Sequence, residues 1–477
     1  MRHYIVVFIY FFIATSSYAQ DKKDSEEVVQ STTLQPLPSH WQQSRINEPV
    51  FDGEVHVVET GKKHKETIIL VHGLGYSGLR DWSDVIPQLE SEYHVIALDL
   101  PGFGESDPTS LQLAPRRYAQ LLKWLIPQFS SQKAILIGHS MGAAISLRFA
   151  SQFPEMVERL VMVDTAGVLH RSVFVRHMTQ MPDRYEWLAR YQQQFDFVDT
   201  AVSRFNRFID RVSGSVLNRL DRLPDPTQVL LQNEYAQQYV YKDRPTLNAA
   251  LGLINEDFSE AIDSLVVPTH IIWGEFDRVA PLRTGEILQS QIIHAELNVI
   301  HEAGHVPMKD KPAEFMRKLN YALNNPPFKT PHSNTLETEK LPTLTCNNQN
   351  ERSYSGHYAF VYISGCRYIN LTDLYAEQIY IENSDVTMQQ VVAKSDSLTM
   401  EVIDSFVTMT NVQLQGETAL RVAGSTLDAA GSEFTGVTRP IQVVSDSLIY
   451  LSVSRQYHND KFQYLHGMSQ GNSYNLR

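Results

Sequence analysis

The run Ala134-Ile135-Leu136-Ile137-Gly138-His139-Ser140-Met141-Gly142-Ala143-Ala144-Ile145-Ser146-Leu147-Arg148-Phe149-Ala150 changes character in its middle. Residues 134–137 are short and apolar without interruption, the pattern of a strand buried on both faces. From Ala143 onward, small and large apolar residues recur at helical spacing, so a helix is expected to pack on the sheet. A serine between two glycines at that strand-to-helix junction has a physical logic. The turn is sharp enough to hold the hydroxyl up in a strained conformation, and glycine on either side removes side chains that would clash there. The helix N-terminus behind it favours developing negative charge. Alone, a G-x-S-x-G pattern is weakly specific; the strand-turn-helix setting is what marks Ser140 as a candidate nucleophile.

Outward from Ser140, short apolar runs alternate with helical patterns. Strands are expected at residues 55–59, 67–71, 93–98, 133–137, 159–163, 269–273 and 296–300. Helices are expected at 83–89, 115–126, 141–152, 282–291 and 312–323. This alternation implies an α/β fold, a mainly parallel sheet covered by helices on both faces. One interval breaks the rhythm. Residues 168–264 carry no strong strand signal but hold Phe174, Met178, Met181, Tyr185, Trp187, Tyr191, Phe195, Phe197, Phe205 and Phe208 among charged residues and glutamines. They read as a helical cap over the sheet. Any one of these residues is explained by packing; as a group they suggest an apolar pocket beneath a lid.

The chain has 477 residues, more than one hydrophobic core usually holds, so two domains are expected. Its 54 acidic and 41 basic residues give a net charge of −13, which argues against nucleic acid or an anionic membrane surface as the main partner. Residues 1–19 read as a signal peptide: Arg2 and His3, an apolar core from Ile5 to Ala14, and Ser17-Tyr18-Ala19 before Gln20. That core falls short of the roughly 20 residues that span a bilayer, so export is expected, to a periplasm or the outside. Residues 20–50 read as a polar leader, 51–324 as the α/β domain, and the Pro- and Thr-rich 325–345 as a linker.

Residues 346–455 follow a different grammar. Cys366, Ser384, Ser405, Ser425 and Ser447 recur every 18 to 22 residues within similar short strands. A repeat near that length without helical period is the mark of a stacked solenoid, here a parallel β-helix, with a β-sandwich as the competing arrangement. One small residue per coil fits an inward corner too tight for a large side chain. Cys346 lies one period before Cys366, so the two can stack at bridging distance on adjacent coils. Residues 456–477 read as a tail.

A serine hydroxyl needs a base, and the base needs an orienting acid. Both occur downstream of Ser140. Gly274-Glu275-Phe276-Asp277-Arg278-Val279-Ala280-Pro281 follows one expected strand, and His301-Glu302-Ala303-Gly304-His305-Val306-Pro307 follows another. Each therefore opens at the carboxyl rim that also presents Ser140. Upstream, His72-Gly73-Leu74-Gly75 closes a further strand, so the amides of Leu74 and Met141 are candidate oxyanion donors. Asp99-Leu100-Pro101-Gly102-Phe103-Gly104-Glu105-Ser106 reads as a structural turn, and His139 as a packing or elbow-flanking residue. Residues 301–305 also satisfy H-E-x-x-H, which in zinc proteases requires a helix; a preceding strand, Gly304 and Pro307 disfavour it here.

Together these motifs make residues 50–324 resemble the α/β-hydrolase superfamily. The resemblance implies Ser140 as nucleophile, Asp277 as acid and His305 as base, with residues 168–264 as the cap; Asp164 is the competing acid. Serine at the elbow disfavours the epoxide-hydrolase and dehalogenase branches. The nearest likeness is to lipases, esterases and carbon–carbon-bond hydrolases. The expected function is an exported serine hydrolase acting on a small apolar ester or lipid, with no cofactor or metal. The alternatives are a carbon–carbon-bond hydrolase and a surface binding protein whose solenoid meets a glycan or protein partner.

Overall fold

The computed structural model describes residues 36–75, 78–170, 173, 244–327, 341–459, 461–470 and 473–475. The expected signal peptide and the cap aromatics from Phe174 to Phe208 lie outside them. The first strands are β1 (Gln42–Glu48), β2 (Gly53–Thr60), β3 (Thr67–Val71), β4 (His94–Leu98), β5 (Ala134–His139), β6 (Val157–Val163), β7 (Thr269–Gly274) and β8 (Ala295–Ile300). They form one sheet in the order β1-β2-β4-β3-β5-β6-β7-β8. β1, β2 and β4 pair antiparallel, and every pairing from β4 through β8 is parallel. β3, β4 and β5 are buried along their whole length, which is why they read as continuous apolar runs.

The leader expected to reach residue 50 ends earlier, because β1 pairs with β2 from Gln42↔Glu59 to Glu48↔Gly53. An edge strand with mostly exposed polar side chains has no apolar pattern to betray it. It is anchored instead by charge: Arg45 Nε donates to Glu54 at 2.8 Å and Nη2 to Asp107.

The helices are α1 (Ile86–Leu89), α2 (Pro115–Leu125), α3 (Met141–Gln152), α4 (Pro245–Ile254), α5 (Ser259–Asp263), α6 (Leu282–Gln291), α7 (Pro307–Asp310) and α8 (Pro312–Asn324). The helix expected at 83–89 is shorter, a 3₁₀ turn at Gly78–Trp82 followed by α1. The last part of the expected cap is helical, but it belongs to the core. In and beside α4 and α5, Ala249, Leu253, Phe258 and Ile262 are buried in the same apolar cluster as Leu113 and Phe149. Asn248 ties this stretch down, with Oδ1 accepting from Leu113 N–H and Nδ2 donating to Leu111 O.

The C-terminal strands are β9 (Thr343–Asn347), β10 (Asn350–Ser364), β11 (Arg367–Glu382), β12 (Asp385–Lys394), β13 (Leu398–Ile403), β14 (Phe406–Thr410), β15 (Gln413–Ala423), β16 (Thr426–Ala430), β17 (Glu433–Val443), β18 (Leu448–His458), β19 (Lys461–Gln470) and β20 (Ser473–Asn475). From β9 to β18 every pairing is parallel, and the chain winds helically through three columns of strands. Ile363, Ile381, Val402 and Val422 stack in one column. Ile369, Val386, Val407, Leu427 and Ile449 stack in the second. Ala376, Ala393, Leu414 and Phe434 stack in the third. All of these side chains are buried, so the core is a stack of apolar layers. The parallel winding answers the β-sandwich alternative.

The recurrent serines do more than save space. Each hydroxyl oxygen accepts the N–H of the residue one coil earlier: Ser384 from Cys366, Ser405 from Ser384, Ser425 from Ser405 and Ser447 from Ser425, at 3.0–3.3 Å. The hydroxyls of Ser384, Ser405 and Ser425 also donate to the carbonyl two residues back. A second ladder runs from Val412 through Ser432 to Ser454. Corner N–H groups that the sheets cannot satisfy are thus paired inside the protein. At the first coil Cys346 and Cys366 form a disulfide, their Cα atoms 6.6 Å apart. Cys346 stands in register with Ile363 while Cys366 occupies the corner, so the bridge joins a strand to the turn above it.

Where a tail was expected at 456–477, the described residues instead close the solenoid. β19 pairs antiparallel with β18, and β20 with β19. This reversal departs from the repeat, which is why the periodicity gives no sign of it.

The last coils dock on the α/β domain. Ala430, Tyr450 and Val453 are buried in its apolar cluster. Arg283, in the first turn of α6, donates through Nη1 to Asp428 at 2.8 Å, through Nε to Thr410 Oγ1 at 2.6 Å, and through Nη2 to Met409 O. Asp263 accepts from Tyr464 OH and pairs with Arg455, while the N–H of His170 donates to Ser452 Oγ.

Two stability predictions follow from these contacts. Ser405→Ala strands the buried Ser384 N–H, an orphaned donor that costs about 1–3 kcal/mol in urea unfolding. Arg283→Met leaves the Asp428 carboxylate, only 6% exposed, buried without its guanidinium. A loss of about 3–5 kcal/mol is expected, most of it regained in Arg283→Met/Asp428→Leu, because an apolar pair avoids the unpaired buried charge. Equal melting of the single and double variants would contradict the docking role of this pair.

Candidate active site

Ser140 sits between β5 and α3 with φ 53° and ψ −117°, a region non-glycine residues rarely adopt. The strain is tolerated because the turn is over-determined. The Ser140 N–H donates to Val163 O, and its carbonyl accepts from Ala143 and Ala144. A Cβ at Gly138 would lie 2.4 Å from Gly142 O, and one at Gly142 would lie 2.2 Å from Val71 O. Glycine at both positions is therefore a requirement of backbone approach.

Asp277 follows β7. Its Oδ1 accepts from the N–H groups of Val279 and Ala280 at 2.7 and 3.0 Å, which aims Oδ2 at His305. His305 follows β8, its Nδ1 2.8 Å from Asp277 Oδ2 and its Nε2 2.9 Å from Ser140 Oγ. An acceptor-only carboxylate at Nδ1 places the ring proton there and leaves Nε2 facing the hydroxyl with its lone pair. The Asp277 side chain is fully buried, while that of His305 keeps 17% exposure. Three residues far apart in sequence meet in one hydrogen-bonded row.

Of the two candidate oxyanion donors, Met141 opens α3, where the first N–H groups have no partner within the helix. Leu74 follows Gly73, whose Cβ, if present, would lie 3.1 Å from Ser140 Cβ. The Leu74 loop is held by His72, which donates from Nδ1 to Gly73 O at 2.7 Å and accepts at Nε2 from Leu100 N–H at 2.9 Å. The neighbouring turn is organised by Asp99, which takes hydrogen bonds from His56 Nδ1, Leu79 N–H and Glu105 N–H. Burial pushes this carboxyl up, but those bonds outweigh it and hold the group below its ordinary value. His56 and Asp99 were not legible as a pair, since 43 residues separate them.

The competing assignments resolve by position. Residues 301–305 fold as turn and loop rather than helix, and their histidines meet different carboxylates: His301 lies 3.4 Å from Glu275, His305 beside Asp277. Glu302 pairs with Lys311 at 2.7 Å. Asp164, the competing acid, is fully buried and accepts the Gly274 N–H at 2.8 Å, bracing the strand that leads to Asp277. His139, buried beside the nucleophile at the elbow, also donates from Nε2 to the carbonyl of His305 at 2.7 Å.

A strained elbow serine, a histidine and a buried aspartate on the rim of a mostly parallel sheet define a hydrolase of the α/β class. The model of the alpha/beta hydrolase fold family matches residues 66–312, just over half of the chain, and the chain belongs to that family. Over 258 residues it is 28% identical to the uncharacterized hydrolase YugF of Bacillus subtilis, covering 52% of this chain and 86% of that one. Over 274 residues it is 28% identical to a 2-hydroxy-6-oxononadienedioate/2-hydroxy-6-oxononatrienedioate hydrolase of Pseudomonas sp, covering 54% and 88%. A solved meta-cleavage product hydrolase from Pseudomonas fluorescens IP01 superposes with a TM-score of 0.41 at 21% identity, covering 59% of this chain and 97% of that one.

Burial, and next the charge of Asp277, push the Asp164 carboxyl well above the ordinary carboxylate range. A pKa raised by folding contributes stability at acid pH that is lost as pH rises from the unfolded value of about 4. Asp164→Asn keeps the acceptor for Gly274 but does not titrate. Its stability relative to the parent protein should therefore grow between pH 4 and 7.5 in urea unfolding. Parallel pH curves would contradict this account.

Proposed function

We propose that the protein is a serine hydrolase that cleaves carboxylic esters with an apolar acyl group through an acyl-enzyme intermediate. The observation that carries this reading is the row Ser140 Oγ, His305 Nε2, His305 Nδ1, Asp277 Oδ2, with contacts of 2.9 and 2.8 Å. His305 takes the Ser140 proton as the oxygen attacks the ester carbonyl carbon, and Asp277 stabilises the imidazolium that forms. The amides of Leu74 and Met141 receive the oxyanion. Collapse of the tetrahedral intermediate breaks the bond to the alcohol oxygen, which His305 protonates. Water then repeats the sequence and frees the acid. The aromatic-rich composition of residues 168–264 supports an apolar acyl group. The signal-like N-terminus and the Cys346–Cys366 disulfide support an exported enzyme, since disulfides persist in oxidising compartments.

A second reading, hydrolysis of a carbon–carbon bond, is favoured by the Pseudomonas relatives named for that substrate class. Both readings use the same serine, so the substrate decides between them.

Ser140→Ala should lower turnover of nitrophenyl esters by at least about 10⁴-fold in folded protein. Unchanged turnover in the variant would refute the serine mechanism. Among nitrophenyl esters of graded acyl length and a 2-hydroxy-6-oxononadienedioate, the ester series should give the higher kcat/KM; the reverse order would establish the second reading.

A further inference from the structure

We propose that His139 is a positioning residue: the hydrogen bond it donates to the main-chain carbonyl of His305 sets where the His305 imidazole stands relative to Ser140. The proposal rests on the triad reading above. Ring contacts at Nδ1 and Nε2 aim the imidazole, but they do not fix the main chain that carries it. His139 does so from the elbow itself, one residue before the nucleophile, with Nε2 2.7 Å from His305 O. One side chain thus ties the β5 turn to the loop after β8. On the loop's other side the N–H of Gly304 donates to Asp310 at 2.8 Å, so His305 is bracketed by two tethers.

A carbonyl oxygen can only accept, so Nε2 of His139 carries a proton. Its Nδ1 is buried and has no hydrogen-bond partner among the described residues. The ring is enclosed by Trp82 edge-on at 6.5 Å, by His305 at 5.1 Å and by Gly73, where a Cβ would come 2.9 Å from Nδ1. The charged and titratable groups facing it are His305, Asp277 and Lys309. Burial, and next the charge of His305, lower its pKa to about 3. His139 therefore stays neutral while His305 gains a proton, and the tether holds through the cycle.

The test compares His139→Gln, whose amide N–H can reach the same carbonyl, with His139→Met, of similar length but without a donor. Labelling of the parent protein by a fluorophosphonate, lost in Ser140→Ala, first checks the triad reading on its own; failure there refutes that reading and the proposal with it, whereas the two variants test the proposal alone. With labelling established, His139→Met should lower kcat by about 10–100-fold with KM within twofold, and His139→Gln should retain kcat within about threefold. Equal rates in both variants, whether high or low, would overturn the proposal, the second outcome reducing His139 to packing. A measurement on the unaltered protein guards against misfolded variants. Nitrogen-15 NMR should show His139 as the Nε2–H tautomer from pH 5 to 8, and an Nδ1–H tautomer would overturn the tether.

Discussion

The elbow depends on how closely two stretches of backbone approach. With Gly138 facing the Gly142 carbonyl and Gly142 facing that of Val71, α3 starts hard against the sheet. That proximity forces Ser140 into a positive φ and lifts its hydroxyl clear of both neighbours. Everything else at the rim is arranged with respect to this point. Asp277 is fixed by two main-chain donors before it meets His305, and the loop carrying Leu74 is fixed by His72. Such preorganisation means that little reorientation remains to be done at the moment of reaction.

The second half of the chain is built on another rule. Its layers are held by stacked apolar residues and by serines that carry one hydrogen bond from each coil to the next. The two halves meet through α6, the helix that begins immediately after the Asp277 loop. Arg283 in its first turn is engaged by the solenoid on three groups. The solenoid is thus packed against the helix that fixes one end of the Asp277 loop, and against His170. A freely tethered accessory module would not bury Tyr450 and Val453 in its neighbour's core.

Much of the sheet was legible because burial on both faces writes itself as unbroken apolar runs, as at Thr67–Val71 and Ala134–Ile137. The motif at Ser140 was legible because few residues tolerate that turn. β1 was not, since its stability comes from main-chain pairing and from Arg45 rather than from an apolar face. The closing hairpins were missed because they break the repeat that revealed the coils. The contact of His139 with His305 O had no sequence signal at all: the two are 166 positions apart, and a carbonyl has no side-chain identity to read. The serine corners were seen as small, but their hydrogen bonding required knowing which N–H groups the coil turns leave over.

One-dimensional stacks ordinarily fray from their ends, because a terminal layer has a neighbour on one side only. Here neither end is free in that sense. A covalent bridge closes the first coil, and the last is seated on a folded domain through the Arg455–Asp263 ion pair and an apolar patch. An end layer that loses its pairing therefore stays held to the body of the protein, covalently at one end and through a folded domain at the other, so the module resists gradual erosion.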